Sequence, residues 1–343
     1  MSPRVGKSKI LINSIQDKRD WKVYISSPYD TIRENWKDEW AKWGQPFDSM
    51  PYSICHRSLE KIPEDIDLLV VDEVQTLSPR QIQTIREKKP KRLLGLTGTL
   101  NTDTKSDLWK ELRLQTIFEY SIEQAIEDGI ISNFEIIIVE CDFDKSDKNI
   151  LSGTKKKSNW TTEQGHYDFL TKQFEKFRVL SWKNPDMEAL KMKYAGDRSR
   201  FIYESKSKFE IAKKIIEKSG RCLIFTGLQK IADQLATSFH SKSSENNLEK
   251  FIAEEIDKLA VIEMVNMGIT IPNLKTAIIH QLKSNSMMSL QKILRMCNLE
   301  DDKVAKIYIT VYKDTVDSSW VNKALETVNP NKIKRINFKD LNL

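Results

Sequence analysis

Apolar and polar positions along the chain form two stretches in which short β-rich runs alternate with longer helical ones. Between them lies a stretch that keeps neither rhythm. In the first stretch the pattern predicts strands at Lys22–Ser26, Leu68–Asp72, Arg92–Leu96 and Phe134–Glu140. Helices are expected between them at Ile32–Trp43, Pro79–Lys88 and Ile122–Asp128. In the second stretch Cys222–Thr226, Leu259–Met264, Thr276–His280 and Ala305–Val311 read as buried strands, and Leu228–Phe239 reads as a helix. Strands that alternate with helices imply βαβ units and a parallel sheet in each stretch. Asp142 to Asn159 is polar and lysine-rich, and Glu163 to Arg200 spaces aromatics and charges in a helical manner. Together they predict an irregular connector followed by helices that bridge two domains. Trp320 with the Val321–Leu325 run reads as a packed C-terminal helix.

Composition supports a folded, surface-rich chain. The 343 residues are 39% apolar and 30% charged, and a single core rarely serves this length, so two domains are expected. Mean hydropathy is -0.50. No apolar run approaches the roughly 20 residues that span a bilayer, and Met1 to Ser8 has no apolar core of a signal peptide. A cytoplasmic location is expected, host cytoplasm if the gene is phage-borne. Cys55, Cys141, Cys222 and Cys297 are scattered, which argues against a zinc site or a disulfide framework. The net charge of +6 suits a phosphate-backbone partner and equally suits an ordinary solvated surface. The Lys155-Lys156-Lys157 run reads most simply as a solvated loop.

Three short segments carry candidate chemistry. Gly6-Lys7-Ser8 ahead of an apolar helix supplies the end of a phosphate cradle: backbone N–H groups at a helix N-terminus, an ammonium for phosphate and a hydroxyl for Mg²⁺. Met1 stands where the full pattern G-x-x-x-x-G-K-[ST] has its first glycine, and on its own the triplet is equally a surface turn. Asp72 and Glu73 follow four apolar residues, which puts both carboxylates at the C-terminal edge of a buried strand, where parallel α/β sheets bind ligands. There Asp72 can hold Mg²⁺ and Glu73 can orient or deprotonate the attacking water; the alternative is a helix cap. Leu96-Thr97-Gly98-Thr99 ends another apolar strand with two hydroxyls beside a glycine, or forms an ordinary turn.

The order of these segments resembles superfamily 2 helicases and translocases, nucleic-acid-dependent ATPases with two RecA-like domains. Pro3-Arg4-Val5-Gly6-Lys7-Ser8 is similar to motif I, and Ile25-Ser26-Ser27-Pro28 with the following Trp36–Trp40 helix to motif Ia. Val71-Asp72-Glu73-Val74-Gln75 resembles the DExH/DExQ motif II, and Leu96-Thr97-Gly98-Thr99 motif III. Tyr120 to Gly129 is similar to the run that closes the first domain in restriction-enzyme and phage-type members. Leu223-Ile224-Phe225-Thr226 resembles motif IV, Met267 to Pro272 motif V with Thr270 in place of its aspartate, and Gln291 to Asn298 motif VI. In motif VI Leu294 replaces the glycine and Asn298 the last arginine.

The resemblance implies an α/β fold of two tandem RecA-like P-loop NTPase domains with parallel sheets and a helical connector. Their bounds would be 1–140 for the ATP-binding domain, 141–205 for the connector and 206–343 for the second domain. It implies ATP and Mg²⁺ as cofactors, with Arg4, Gly6, Lys7, Ser8 and Asp72 on the nucleotide, and Ser8 and Asp72 on the metal. Glu73, Gln75, Gln291 and Arg295 would serve hydrolysis, and Thr97 and Thr99 would couple it to movement. Ser27, Pro28 and Gly268 would contact nucleic acid, DNA favoured over RNA, without sequence preference. No membrane partner is implied, and a monomer is compatible with the motifs though not fixed by them. The implied activity is a helicase or translocase of replication, recombination or repair; the alternative is a weakened relative that binds and turns over little ATP. The family places a strand, and often an adenine-reading glutamine segment, before motif I. Neither is visible here, which raises an upstream gene start. A P-loop kinase leaves the second half unexplained.

Aromatics between Trp160 and Tyr203, among them Tyr167, Phe169, Trp182 and Tyr194, alternate with Lys191, Lys193, Arg198 and Arg200. They can stack on bases or pack against the domains, and amphipathic spacing favours packing.

Overall fold

A computed structural model describes residues 6–28, 30–46, 49–98, 102–130, 132–154, 157–244, 246–262, 271, 273–282, 304–326 and 328–341. The chain divides into two compact units, with the break between residues 131 and 132.

The first unit is built on β3 (Leu68–Asp72), whose apolar residues alternate between two faces. Its elements in chain order are α1 (Lys7–Ile15), β1 (Val23–Ser27), α2 (Asp30–Lys42), β2 (Tyr52–Cys55), β3, α3 (Pro79–Lys88), β4 (Leu93–Leu96), α4 (Thr102–Leu112) and α5 (Ile122–Glu127). The sheet order is β2-β1-β3-β4, with every pair parallel. Leu68 and Val70 point to a core shared with Leu11, Ile12 and Ile15 of α1 and with Trp36 and Trp40 of α2. Leu69 and Val71 point to the opposite core, with Ile85 of α3 and Leu108 of α4. A strand covered on both faces can be continuously apolar, which is why Leu-Leu-Val-Val needs no polar alternation. Ser78 opens α3 as a reciprocal capping box with Gln81, and Pro79 sits at the first helical position.

The second unit contains β5 (Phe134–Cys141), β6 (Ile150–Thr154), β7 (Lys157–Thr161), α6 (Glu163–Ser181), α7 (Glu188–Glu204), α8 (Lys206–Lys218), β8 (Cys222–Thr226) and α9 (Gln229–Leu235). It continues with β9 (Thr237–Phe239), α10 (Asn246–Ile252), β10 (Lys258–Ile262), β11 (Thr276–Ile279), β12 (Ala305–Tyr312), α11 (Val316–Ala324) and β13 (Ile333–Asn337). Seven parallel strands run in the order β13-β5-β12-β11-β8-β10-β9, while β6 and β7 form a separate antiparallel hairpin.

Three expectations are corrected. The strand at 134–141 is not the last of the first domain, for it lies between β12 and β13 in the second sheet, and the boundary falls near 131 rather than 140. The connector is not a bridge between domains: Tyr167, Ile202 and Tyr203 belong to the second unit's core, and the Phe143 ring stacks on Tyr312 of β12 at 3.8 Å between centroids. The helix expected at 228–239 stops at Leu235, because Ala236 is extended and Thr237–Phe239 pairs with β10. The C-terminal helix is present as α11, with Val321 and Ala324 buried. Lys157 of the lysine run opens β7, and Lys155 and Lys156 lie outside the described residues.

One buried ion pair braces the second unit. Lys208 of α8 and Asp317 of α11 are both fully buried, with Nζ 2.5 Å from Oδ2. The same Asp317 oxygen accepts from the Tyr312 backbone N–H at 3.1 Å, and the Lys208 N–H donates to the Tyr312 hydroxyl at 3.1 Å. Removing one partner of such a pair strands the other charge and costs about 3–5 kcal/mol. Lys208→Met should therefore lower unfolding stability by about that amount, and adding Asp317→Leu should recover most of it, as read by urea denaturation of the full chain.

His280, at the end of β11, is also fully buried; its Nε2 lies 3.2 Å from the Tyr203 carbonyl, and its Nδ1 has no hydrogen-bond partner among the described residues. Burial first, and then the charge of Lys208, push it from 6.5 down to about 3. A folded value below the unfolded one means stability that is complete above pH 6.5 and lost as the pH falls toward 3, at up to about 1.4 kcal/mol per pH unit. His280→Gln should flatten the urea midpoint's fall between pH 6.5 and 4.5 relative to wild type.

Candidate nucleotide site

Parallel pairing brings the C-terminal ends of the first unit's strands to one edge. Ser26 is level with Val71 and Asp72 with Leu96, so Ser27, Asp72 and Thr97 end or follow three adjacent strands. Directly after Asp72, Glu73 takes a left-handed backbone, φ 51° and ψ 50°. For a residue with a side chain this costs about 1–2 kcal/mol, and local hydrogen bonds offset it. The Glu73 N–H donates to Asp72 Oδ1 at 3.0 Å, Thr76 Oγ1 donates to the Glu73 carbonyl at 2.8 Å, and Gln75 Nε2 donates to Glu73 Oε2 at 2.7 Å. The turn thus presents two adjacent carboxylates, one of them oriented by Gln75. The helix-cap alternative is not what forms, since Ser78 caps α3.

Val74, buried in the same turn, sits against Gly95 of β4, where an added β-carbon would lie 3.1 Å from Val74 Cγ1. The glycine lets the turn close on the strand that leads to Thr97.

Gly6 caps α1 with a left-handed backbone, φ 79° and ψ 30°, which glycine adopts without strain. Gly6 brings no side chain to this helix start and the first turn has no acidic residue, so the positive end of the helix favours an anion. Lys7 and Ser8 are half-buried, and Lys7 Nζ is shielded from solvent. The residues present therefore fit a phosphate group and its cation: a glycine-led helix start, an ammonium, a hydroxyl and two carboxylates at a strand end.

One residue with no sequence signal of its own joins this edge. His56, just after β2, is buried and its Nδ1 lies 2.7 Å from Ser26 Oγ. Burial pushes its imidazole down to about 4, against the opposing pull of the Asp72 backbone and the Glu73 charge, so the ring is neutral. The adjacent Ser27 Oγ and Gln75 Oε1 are shielded from solvent without hydrogen-bond partners among the described residues. In the second unit, Gln281 after β11 accepts from the Gly227 N–H at 3.0 Å, and an added β-carbon at Gly227 would collide with its amide. A Gly directly after Thr226 was the only sequence signal for that contact.

The structure thus brings together Ser27, Asp72, Glu73, Gln75 and Thr97 on one edge, with Gly6, Lys7 and Ser8 on the helix that packs against β1 and β3. Pro28 follows β1, and Arg4, Thr99, Gly268, Gln291 and Arg295, as well as Thr270, Leu294 and Asn298, lie outside the described residues.

No protein-family model and no curated protein matches the sequence. Solved structures do match in fold. S. cerevisiae Dbp5 bound to RNA and ADP BeF3 aligns at a TM-score of 0.56 and 10% identity, over 99% of this chain and 85% of that one. The helicase domain of Pyrococcus furiosus Hef aligns at 0.53 and 11% identity, over 94% and 93%. The fold is that of two tandem RecA-like domains, as in these helicases.

Gly95→Ala should press on Val74 and cost about 1–3 kcal/mol. The double variant with Val74→Ala should lose less than the sum of the single changes; additive losses in urea unfolding would mean that the two residues do not bear on one another.

Proposed function

We propose that this chain is an ATP-driven nucleic-acid helicase or translocase of superfamily 2 type, acting on DNA in replication, recombination or repair. The observation that carries the reading is the Asp72–Gln75 turn: paired carboxylates at the edge of a parallel sheet, held by a left-handed Glu73 and its Gln75 hydrogen bond. The glycine-led start of α1 supplies the complementary anion site. A fold shared with Dbp5, which is bound to RNA and ADP BeF3, supports nucleotide and nucleic acid as partners.

In this reading Gly6 and Lys7 hold the phosphates, and Ser8 and Asp72 would hold Mg²⁺, which would supply charge neutralisation to the phosphates. Glu73 orients the attacking water and takes its proton, and Gln75 keeps that carboxylate aimed. Thr97 and Thr99 couple hydrolysis to movement, while Ser27, Pro28 and Gly268 contact nucleic acid. Gln291 and Arg295 are assigned to hydrolysis on their motif positions alone. Such backbone contacts are sequence-tolerant and salt-sensitive. DNA is favoured on the resemblance of Tyr120–Gly129 to restriction-enzyme and phage-type members.

A second reading, a nucleic-acid-binding relative with little ATP turnover, is favoured by Asn298, which stands where the family's motif VI ends in arginine. An arginine finger contributes about 10³–10⁵ in rate.

The test is ATP hydrolysis with and without single-stranded DNA, duplex DNA, forked DNA and RNA. Stimulation by a polynucleotide that disappears in Lys7→Ala and Glu73→Gln is expected; a folded wild type that no polynucleotide stimulates overturns the motor. If wild-type turnover is near background and Asn298→Arg raises it, the second reading holds, whereas rapid wild-type hydrolysis removes it.

A further inference from the structure

The helical segment after β5 holds a cleft that the motor reading does not use. A cavity of about 520 Å³ opens between the β6–β7 hairpin, α6 and α7, wholly within the second unit. This size suits a small ligand with a ring and a few polar groups.

Its walls combine flat rings with polar atoms. Phe169, Tyr194 and Phe201 line it. Tyr194 is backed by Phe177, stacked at 5.4 Å and 6° between planes, so the orientation of its ring is set before any ligand arrives. His166 also lines the cleft, edge-on to Phe201 at 4.7 Å. Burial pushes its imidazole below its ordinary value, and its Nδ1 is shielded from solvent without a partner among the described residues. A buried polar atom left without a partner on a cavity wall calls for a water or a ligand.

Charge of both signs reaches the same cleft. Asp197, Glu204, Lys193 and Arg200 line it, and none of the four forms an ion pair with a described residue. Opposite charges that share a wall without pairing suit a ligand with both a donor edge and an anionic end. A nucleotide has that chemistry: a flat base for the rings, an exocyclic amine for a carboxylate, and a phosphate for Arg and Lys. Base-on-aromatic stacking contributes about 1–3 kcal/mol per base.

We propose that this cleft takes one unstacked, amine-bearing nucleobase of a single strand, its amine on Asp197 and its phosphate on Arg200 and Lys193. The strand as source rests on the motor reading; the base-and-phosphate chemistry does not. The base enters only when unpaired, because a duplex hides its faces and its amine edge.

The experiment measures binding of the full chain to labelled oligo(dC), oligo(dA) and oligo(dT), and to free CMP, AMP and TMP. It compares wild type with Asp197→Asn and Arg200→Ala, side chains outside the packed core, and circular dichroism checks each fold. Wild type should prefer dC and dA over dT by about 5-fold or more, the discrimination expected of one good base contact. Asp197→Asn should erase that preference, and Arg200→Ala should weaken all three and reduce the salt slope by about one. Oligonucleotide binding that both variants leave unchanged overturns the cleft and leaves the motor reading standing. Binding of CMP that depends on Asp197, with no oligonucleotide bound, keeps the cleft as a nucleotide site and removes the strand. Wild type that binds neither overturns both.

Discussion

Parallel pairing is the constraint on which the rest of the molecule depends. Strands that all run one way must all end on one edge, and each must turn away at once to reach its crossover helix. In the first unit that requirement brings Ser27, Asp72 and Thr97 onto neighbouring strand ends, although 70 residues of sequence separate the outer two. It also explains the left-handed Glu73. The chain must leave β3 within one residue, Asp72 is positioned to accept the next N–H, and Val74 must reach Gly95. The geometry that terminates the strand is the geometry that displays the carboxylates.

Buried polar groups meet two fates. Lys208, Asp317, Tyr312 and Ser205 form a connected set joining α8, β12 and α11, with a Ser205–Tyr312 hydroxyl pair at 2.6 Å. Such a set fixes its members, since moving any one exposes the others to an apolar surround. At the first unit's edge, Ser27 Oγ and Gln75 Oε1 lack hydrogen-bond partners among the described residues, beside the carboxylates proposed to do chemistry. Unsatisfied groups of this kind are costly, and a site that recruits water or ligand at that edge would recover the cost.

Legibility in the sequence followed burial. β3 and β8 were readable because strands covered on both faces carry four or more consecutive apolar residues. β2, Tyr-Ser-Ile-Cys, and β13, Ile-Lys-Arg-Ile-Asn, were missed because edge strands keep polar residues and lose that signature. The strand at 134–141 was seen but assigned to the wrong sheet, since partners at 305–312 and 333–337 leave no mark in its own residues. The same rule governs the site. Asp72 and Glu73 stood out as neighbours in sequence, whereas His56 meets Ser26 across 30 residues and Gln281 meets Gly227 across 54.

The helical segment between β5 and α8 is the largest departure from expectation, and its attachment decides how it can act. Glu163, nearly buried at the start of α6, accepts from the Ser207 hydroxyl at 2.6 Å, the Ser207 N–H at 3.2 Å and the Asp144 N–H at 3.0 Å. The Tyr167 hydroxyl accepts from the Val316 N–H at 3.1 Å, and Phe143 lies between Tyr167 and Tyr312. Swinging α6 away from the sheet would break all of these and expose a stack of three rings. The cleft between α6, α7 and the hairpin therefore travels with the second sheet as one body. A base held there would be carried by every displacement of that sheet, without a hinge to absorb the motion.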